Sequence, residues 1–305
     1  MFLLIFNQLL KMLFIMLLAV ICFKIGLINQ EGNRNLSNLL LMVINPCVIL
    51  TVYQTDYEPR LVKGLLISFA AAVIAHILAI AIARVLIRAK DNRNYAIERF
   101  AAVYSNCGFI GIPLINSVLG SEGVFYLTAY MTVFNILAWT HGLTLLTKKF
   151  NPKCLKEGIL SPIVLATLAA MALFFAQIRI PAVLLDSMTY VADMNTPVAM
   201  MIAGFSLAQT DLKKTFTHVR LYWVSFVKLL AVPFAVLIFL GFFHLDYTVA
   251  YTTLIAAACP VSATTTMMCI RLNDNYTYAS EIFSFTTVLS IVTIPLVAFA
   301  ASFVL

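Results

Sequence analysis

The sequence predicts an all-α membrane protein of ten transmembrane helices, built as two inverted five-helix repeats in which spans 4 and 9 are broken. Three observations predict it. The 305 residues are 62% hydrophobic and only 11% charged, with a mean hydropathy of +0.98; a soluble domain is roughly half apolar and a quarter charged. The apolar residues fall in runs of about 20, the length that crosses a bilayer as a helix, and they do not alternate as the strands of a membrane barrel do. Two prolines, Pro113 and Pro260, interrupt such runs at matching places in the two halves, and proline cannot continue the helical hydrogen-bond ladder.

Taken in order, the spans are 9–28, 36–54, 61–86, 96–119, 123–147, 159–177, 182–209, 221–242, 248–270 and 279–303. The first is apolar but lacks a small-residue cleavage site, so it reads as a span and not a removed signal. The second carries Asn45-Pro46 and ends in Gln54-Thr55-Asp56; the seventh carries Asn195-Thr196-Pro197 and ends in Gln209-Thr210-Asp211. The third holds Ser68-Phe69, the eighth Ser225-Phe226, and the fourth and ninth hold the two prolines. These matches recur in one order, as an internal repeat requires. They divide the chain into 1–147 (spans 1–5) and 148–305 (spans 6–10). An odd number of spans per half forces the halves into opposite orientations.

Orientation follows from Lys and Arg in short loops. With both termini outside, the cytoplasmic side carries Arg34, Arg84, Arg88, Lys90, Arg93, Arg99, Lys148, Lys149, Lys153, Lys156, Lys213, Lys214, Arg220 and Arg271. The outside carries only Lys11, Arg60, Lys63 and Arg179. The net charge of +7 is therefore a topology signal and not a nucleic-acid footprint. The six cysteines have no zinc or redox spacing and read as packing residues.

Paired interrupted segments in repeated halves point to a transporter's binding site. Helix ends exposed at a break leave backbone groups unpaired, and N-terminal ends attract anions. Proline suits a first helical turn, so Pro113 and Pro260 are expected to open the second halves of their spans. Ser105, Asn106 and Gly108 precede the first proline; Val261, Ser262 and Thr264 follow the second. These residues, with Asn45, are the candidate substrate contacts. A kink patched by Ser and Thr is the alternative for either span alone. Asp193, Asn195, Lys228 and His76 are candidate coupling groups, because ionisable residues at membrane depth are costly and tend to be functional. For these an interfacial position, snorkelling or simple packing stays open. Metal ligand clusters and the signatures of hydrolytic, ATP-driven and zinc-dependent chemistry are missing, so no cofactor, metal or enzymatic activity is expected.

The stretch Asn106-Cys107-Gly108-Phe109-Ile110-Gly111-Ile112-Pro113-Leu114 with Gly120-Ser121-Glu122-Gly123 resembles the auxin efflux carrier family of membrane transporters. So do Asn45-Pro46, Gly204-Phe205-Ser206-Leu207, Cys259-Pro260, Ala279-Ser280 and Thr293-Ile294-Pro295. The short loop between spans 5 and 6 is similar to bacterial members, some annotated for malate or malonate. The resemblance implies that the broken helices 4 and 9 cross, in a fold like that of sodium/proton antiporters and bile-acid symporters. It implies a scaffold of spans 1, 2, 6 and 7, with homodimer contacts, and a moving transport domain of spans 3–5 and 8–10. It also implies elevator-type export or exchange of organic anions across the cytoplasmic membrane, with Asn106 and the residues around Pro260 on the carboxylate. The expected partners are thus a small organic anion and the lipid bilayer. A sodium-coupled symporter of the bile-acid type and a binding-only sensor are the rival readings.

Overall fold

The computed structural model describes residues 2–89, 94–149 and 152–305, without the side chains of Phe2, 152–154 and 212–214. Lys90 and Arg93, placed on the cytoplasmic side by sequence, lie outside the described residues, as do the side chains of Lys153, Cys154, Lys213 and Lys214. The described residues are helical almost throughout. The helices are α1 (Phe2–Lys24), α2 (Gln30–Val52), α3 (Pro59–Leu86), α4 (Tyr95–Val103), α5 (Cys107–Thr147), α6 (Pro152–Ile159), α7 (Pro162–Phe175), α8 (Ala182–Ala208), α9 (Leu212–Thr217), α10 (Val219–Gly241), α11 (Tyr247–Ala258), α12 (Ala263–Arg271) and α13 (Tyr276–Ala301). Among the described residues seven helices are long and apolar enough to cross a membrane: α1, α2, α3, α5, α8, α10 and α13. Two shorter ones, α7 and α11, are also apolar.

Boundaries come from local chemistry. Asn29, Asp246, Ser262 and Asn275 accept backbone N–H groups at the starts of α2, α11, α12 and α13. Prolines stand in the first turns of α3 and α7, where the missing N–H costs nothing. The expected loop between spans 4 and 5 shrinks to one residue. Gly120, at φ 65° and ψ −159°, breaks the path of α5 in a conformation that only glycine adopts cheaply. The expected span 6 is the apolar α7, and the short α6 precedes it, with Leu160 and Ser161 between them.

Three helices contain a π turn placed alike: Leu40–Ile44, Cys107–Gly111 and Val227–Ala231. In each, the residue after the turn donates its N–H to the carbonyl five residues back, and the next residue is a proline: Pro46, Pro113 or Pro233. The proline ring would collide with a carbonyl four residues back. Widening the turn moves that carbonyl away, so each helix runs on through its proline.

The helices α1, α2, α7 and α8 pack against one another, with α1 lying along the second half of α8. A Cβ on Gly204 would stand 2.3 Å from the Met16 carbonyl oxygen and 2.7 Å from Ala19 Cβ, so α1 and α8 touch backbone to backbone there. Gly204→Val is therefore expected to cost about 1–3 kcal/mol through overpacking, read as a lower thermal midpoint of the detergent-solubilised protein; an unshifted midpoint would refute the close contact. The second group, α3–α5 and α10–α13, packs around two interruptions, and those interruptions organise the site.

Candidate functional site

Between α4 and α5 the chain leaves the helix at Tyr104, Ser105 and Asn106; between α11 and α12 it does so from Cys259 to Ser262. The two segments lie antiparallel, with Ser105 opposite Val261. Asn106 N–H donates to the Pro260 carbonyl (2.8 Å) and Ser262 N–H to the Tyr104 carbonyl (3.0 Å). Val261 N–H donates to Thr286 Oγ1 of α13 (3.2 Å). Backbone groups freed by each break thus find partners in the other, as an interior away from water demands. Tyr104 holds the first segment from behind, its hydroxyl donating to the Leu137 carbonyl at 2.8 Å.

A pocket with about 50 Å³ of free volume opens at this meeting point. It is lined by Ser105, Asn106, the first residues of α5 (Cys107, Gly108, Phe109), Ser262 and the first residues of α12 (Ala263, Thr264). Leu41 of α2 and Ile163 of α7 close the opposite wall. Two helix N-termini therefore face one space, and each carries partial positive charge. Ser262 Oγ caps α12 by accepting Thr264 N–H at 3.2 Å. Asn106 is 3% exposed, and its Nδ2 has no hydrogen-bond partner. A buried, unpaired amide donor is costly, so an acceptor is missing at this point.

Asn45 and Asn195 meet where α2 and α8 approach, Asn195 Nδ2 donating to Asn45 Oδ1 at 2.7 Å. Asn45 Nδ2 has no partner and lies 3.6 Å from where a Gly108 Cβ would be. It is a second unpaired donor beside the start of α5. On the far side of the interruptions Lys228 is fully buried; its Nζ donates to Ser105 Oγ (2.5 Å) and to the Ala257 carbonyl (3.2 Å). His76 is buried near it, with Nδ1 at 2.7 Å from the Ala72 carbonyl and its ring 4.7 Å from that of Tyr130.

Several expectations change. Pro113 does not open the second half of its span. The restart is at Cys107, and Pro113 is buried six residues on, away from the pocket lining. Pro260 sits inside the second break, and α12 begins only at Ala263. Asp193 is exposed on the outer face of α8 and does not join the site. Asn195 bonds the Asn45 amide. Lys228 does not snorkel, and among the described residues it is bonded by a hydroxyl and a carbonyl and not by an acid. Sequence reasoning missed the Glu98–Arg220–Tyr278 cluster, in which a fully buried carboxylate accepts Arg220 Nη2 (2.7 Å) and Tyr278 hydroxyl (2.8 Å). An acid at the very start of the expected span 4 was its only signal. Among the described residues no three His, Cys, Asp or Glu side chains are grouped to hold a metal.

Long apolar helices enclosing a pocket at two paired breaks define a multi-pass helical membrane protein. Comparison with known sequences gives the particular family. The family described as membrane transport protein matches residues 4–153 and again 146–298, and the chain belongs to that family, the auxin efflux carrier type. An uncharacterized transporter of Methanothermobacter thermautotrophicus is 23% identical over 297 residues, 94% of this chain and 95% of that one. The uncharacterized transporter MJ1031 of Methanocaldococcus jannaschii is 22% identical over 198 residues, covering 62% of this chain and 64% of its own length, less than two thirds.

Proposed function

We propose that this protein is a secondary transporter of small organic anions, carboxylates in the first place. The observation that carries the reading is the convergence of two helix N-termini and the unpaired Asn106 Nδ2 on one pocket. A carboxylate supplies the acceptors these groups lack. With free volume for a few waters and not for a dicarboxylate, the pocket must widen to load. Such widening fits movement of α3–α5 and α10–α13 against a scaffold of α1, α2, α7 and α8, an elevator step. Tyr53–Thr128 and Thr210–Ser284, each 2.8 Å, are side-chain bonds between these two groups that the step would break.

In this reading the ten sequence spans form two inverted repeats, 1–147 and 148–305. The chain lies in the cytoplasmic membrane with both termini outside, and the scaffold carries any homodimer contact. Sodium symport of the bile-acid type has less support, because the donors at the crossing are amides, hydroxyls and carbonyls without a carboxylate. The test is uptake of labelled malate, then of a carboxylate panel, by proteoliposomes under an imposed membrane potential, a pH gradient and a sodium gradient. Saturable flux of at least one carboxylate is expected; no flux of any would refute the assignment.

A further inference from the structure

We propose that Lys228 is a tethered cation that fills the cation position behind the crossing, so that carboxylate movement requires no sodium. The inference rests on the carboxylate reading above. At crossed broken helices, N-terminal ends face anions while C-terminal ends and unwound carbonyls hold cations. Here the cation side is occupied by the chain itself. Lys228 Nζ bonds the Ala257 carbonyl in the last turn of α11, and also Ser105 Oγ, which itself donates to that same carbonyl at 3.2 Å. The ammonium complements the negative end of α11 and, through Ser105, fixes the segment that presents Asn106 to the pocket.

The π turn Val227–Ala231 contains Lys228, and π turns recur where helices carry functional groups. Around the amine stand His76 of α3, Ser105 after α4, Cys107 and Tyr130 of α5, and Ala257 and Cys259 of the α11 end. No carboxylate is among them in the described residues, so a metal ion placed here would have no anionic ligand, whereas an amine with two oxygen acceptors is suited to the space. Lys228 touches no pocket surface and acts as a positioning residue.

The experiment is labelled-malate flux in proteoliposomes holding the full chain. Wild-type flux is expected to stay within about two-fold when sodium is replaced by potassium or N-methylglucamine. Lys228→Ala should lower flux at least about ten-fold, equivalent to ~1.4 kcal/mol, and millimolar ethylammonium should restore part of it by entering the vacated space. Lys228→Met, which fills that space without charge, should be inactive and not rescued. A structural role alone would not predict amine rescue. Wild-type flux that collapses without sodium, or Lys228→Met moving malate like wild type, would overturn the tethered cation while leaving the carboxylate reading intact. Absence of flux for every carboxylate in every buffer would remove both.

Discussion

Asn106→Ala should lower carboxylate flux by roughly 10–100-fold while the protein keeps its thermal midpoint. A hydrogen bond to a charged group is worth about 1.5–3 kcal/mol, and each 1.4 kcal/mol is about a factor of ten. The folded state loses little, because Asn106 Nδ2 is already without a partner. Its backbone N–H, which bonds Pro260, is untouched by the change. Asn106→Asp should be worse than alanine, since it puts an anion where an anion must bind. Flux and substrate-induced thermal shift, measured side by side, check both variants. Wild-type flux in Asn106→Ala would detach this residue from the substrate.

Arg220→Leu should have the largest effect on folding. Glu98 is fully buried and accepts Arg220 Nε at 3.0 and 3.1 Å and Nη2 at 2.7 Å, tying α4 to α10; Tyr278 adds α13. Removing one member of a buried pair costs about 3–5 kcal/mol. Arg220→Lys should recover only part, because an ammonium cannot reproduce the two-pronged contact. The double variant Glu98→Leu/Arg220→Leu should be more stable than Arg220→Leu alone, since no buried charge is left behind. Denaturant midpoints in detergent would decide; a double variant no better than the single would mean that the pair is not the source of the loss.

Hydropathy located the membrane helices well where a helix is continuous. The expected 221–242 and 279–303 are the observed Val219–Gly241 and Tyr276–Ala301. Both prolines marked the right segments, but only Pro260 lies in its break; Pro113 stands six residues past the start of α5. The breaks are set by the pairing of Ser105 with Val261, a contact between remote stretches that neither stretch encodes alone. For the same reason the partners of Asn45, Lys228 and Glu98 were hidden; Asn195, Ser105 and Arg220 stand 150, 123 and 122 residues away. The exposure of Asp193 was not legible, because depth along a helix says nothing about which face a side chain takes. Asn106, Gly108, Ser262 and Thr264 were legible because glycine, amide and hydroxyl residues crowded at a break have few other uses in an apolar helix.

The three π turns that precede prolines, unlike a fourth at Ala138–Gly142, also bear on how this chain should be aligned with its relatives. Each turn holds one residue more than an α turn, and deleting that residue would rotate every later side chain of its helix by about 100°. Insertions and deletions are thus best tolerated at such a turn, where a gain or loss converts one kind of turn into the other. A relative lacking a turn is expected to show a one-residue gap just ahead of Pro46, Pro113 or Pro233. At 22–23% identity, where residue matches alone place gaps poorly, those three prolines are the points from which to set the register.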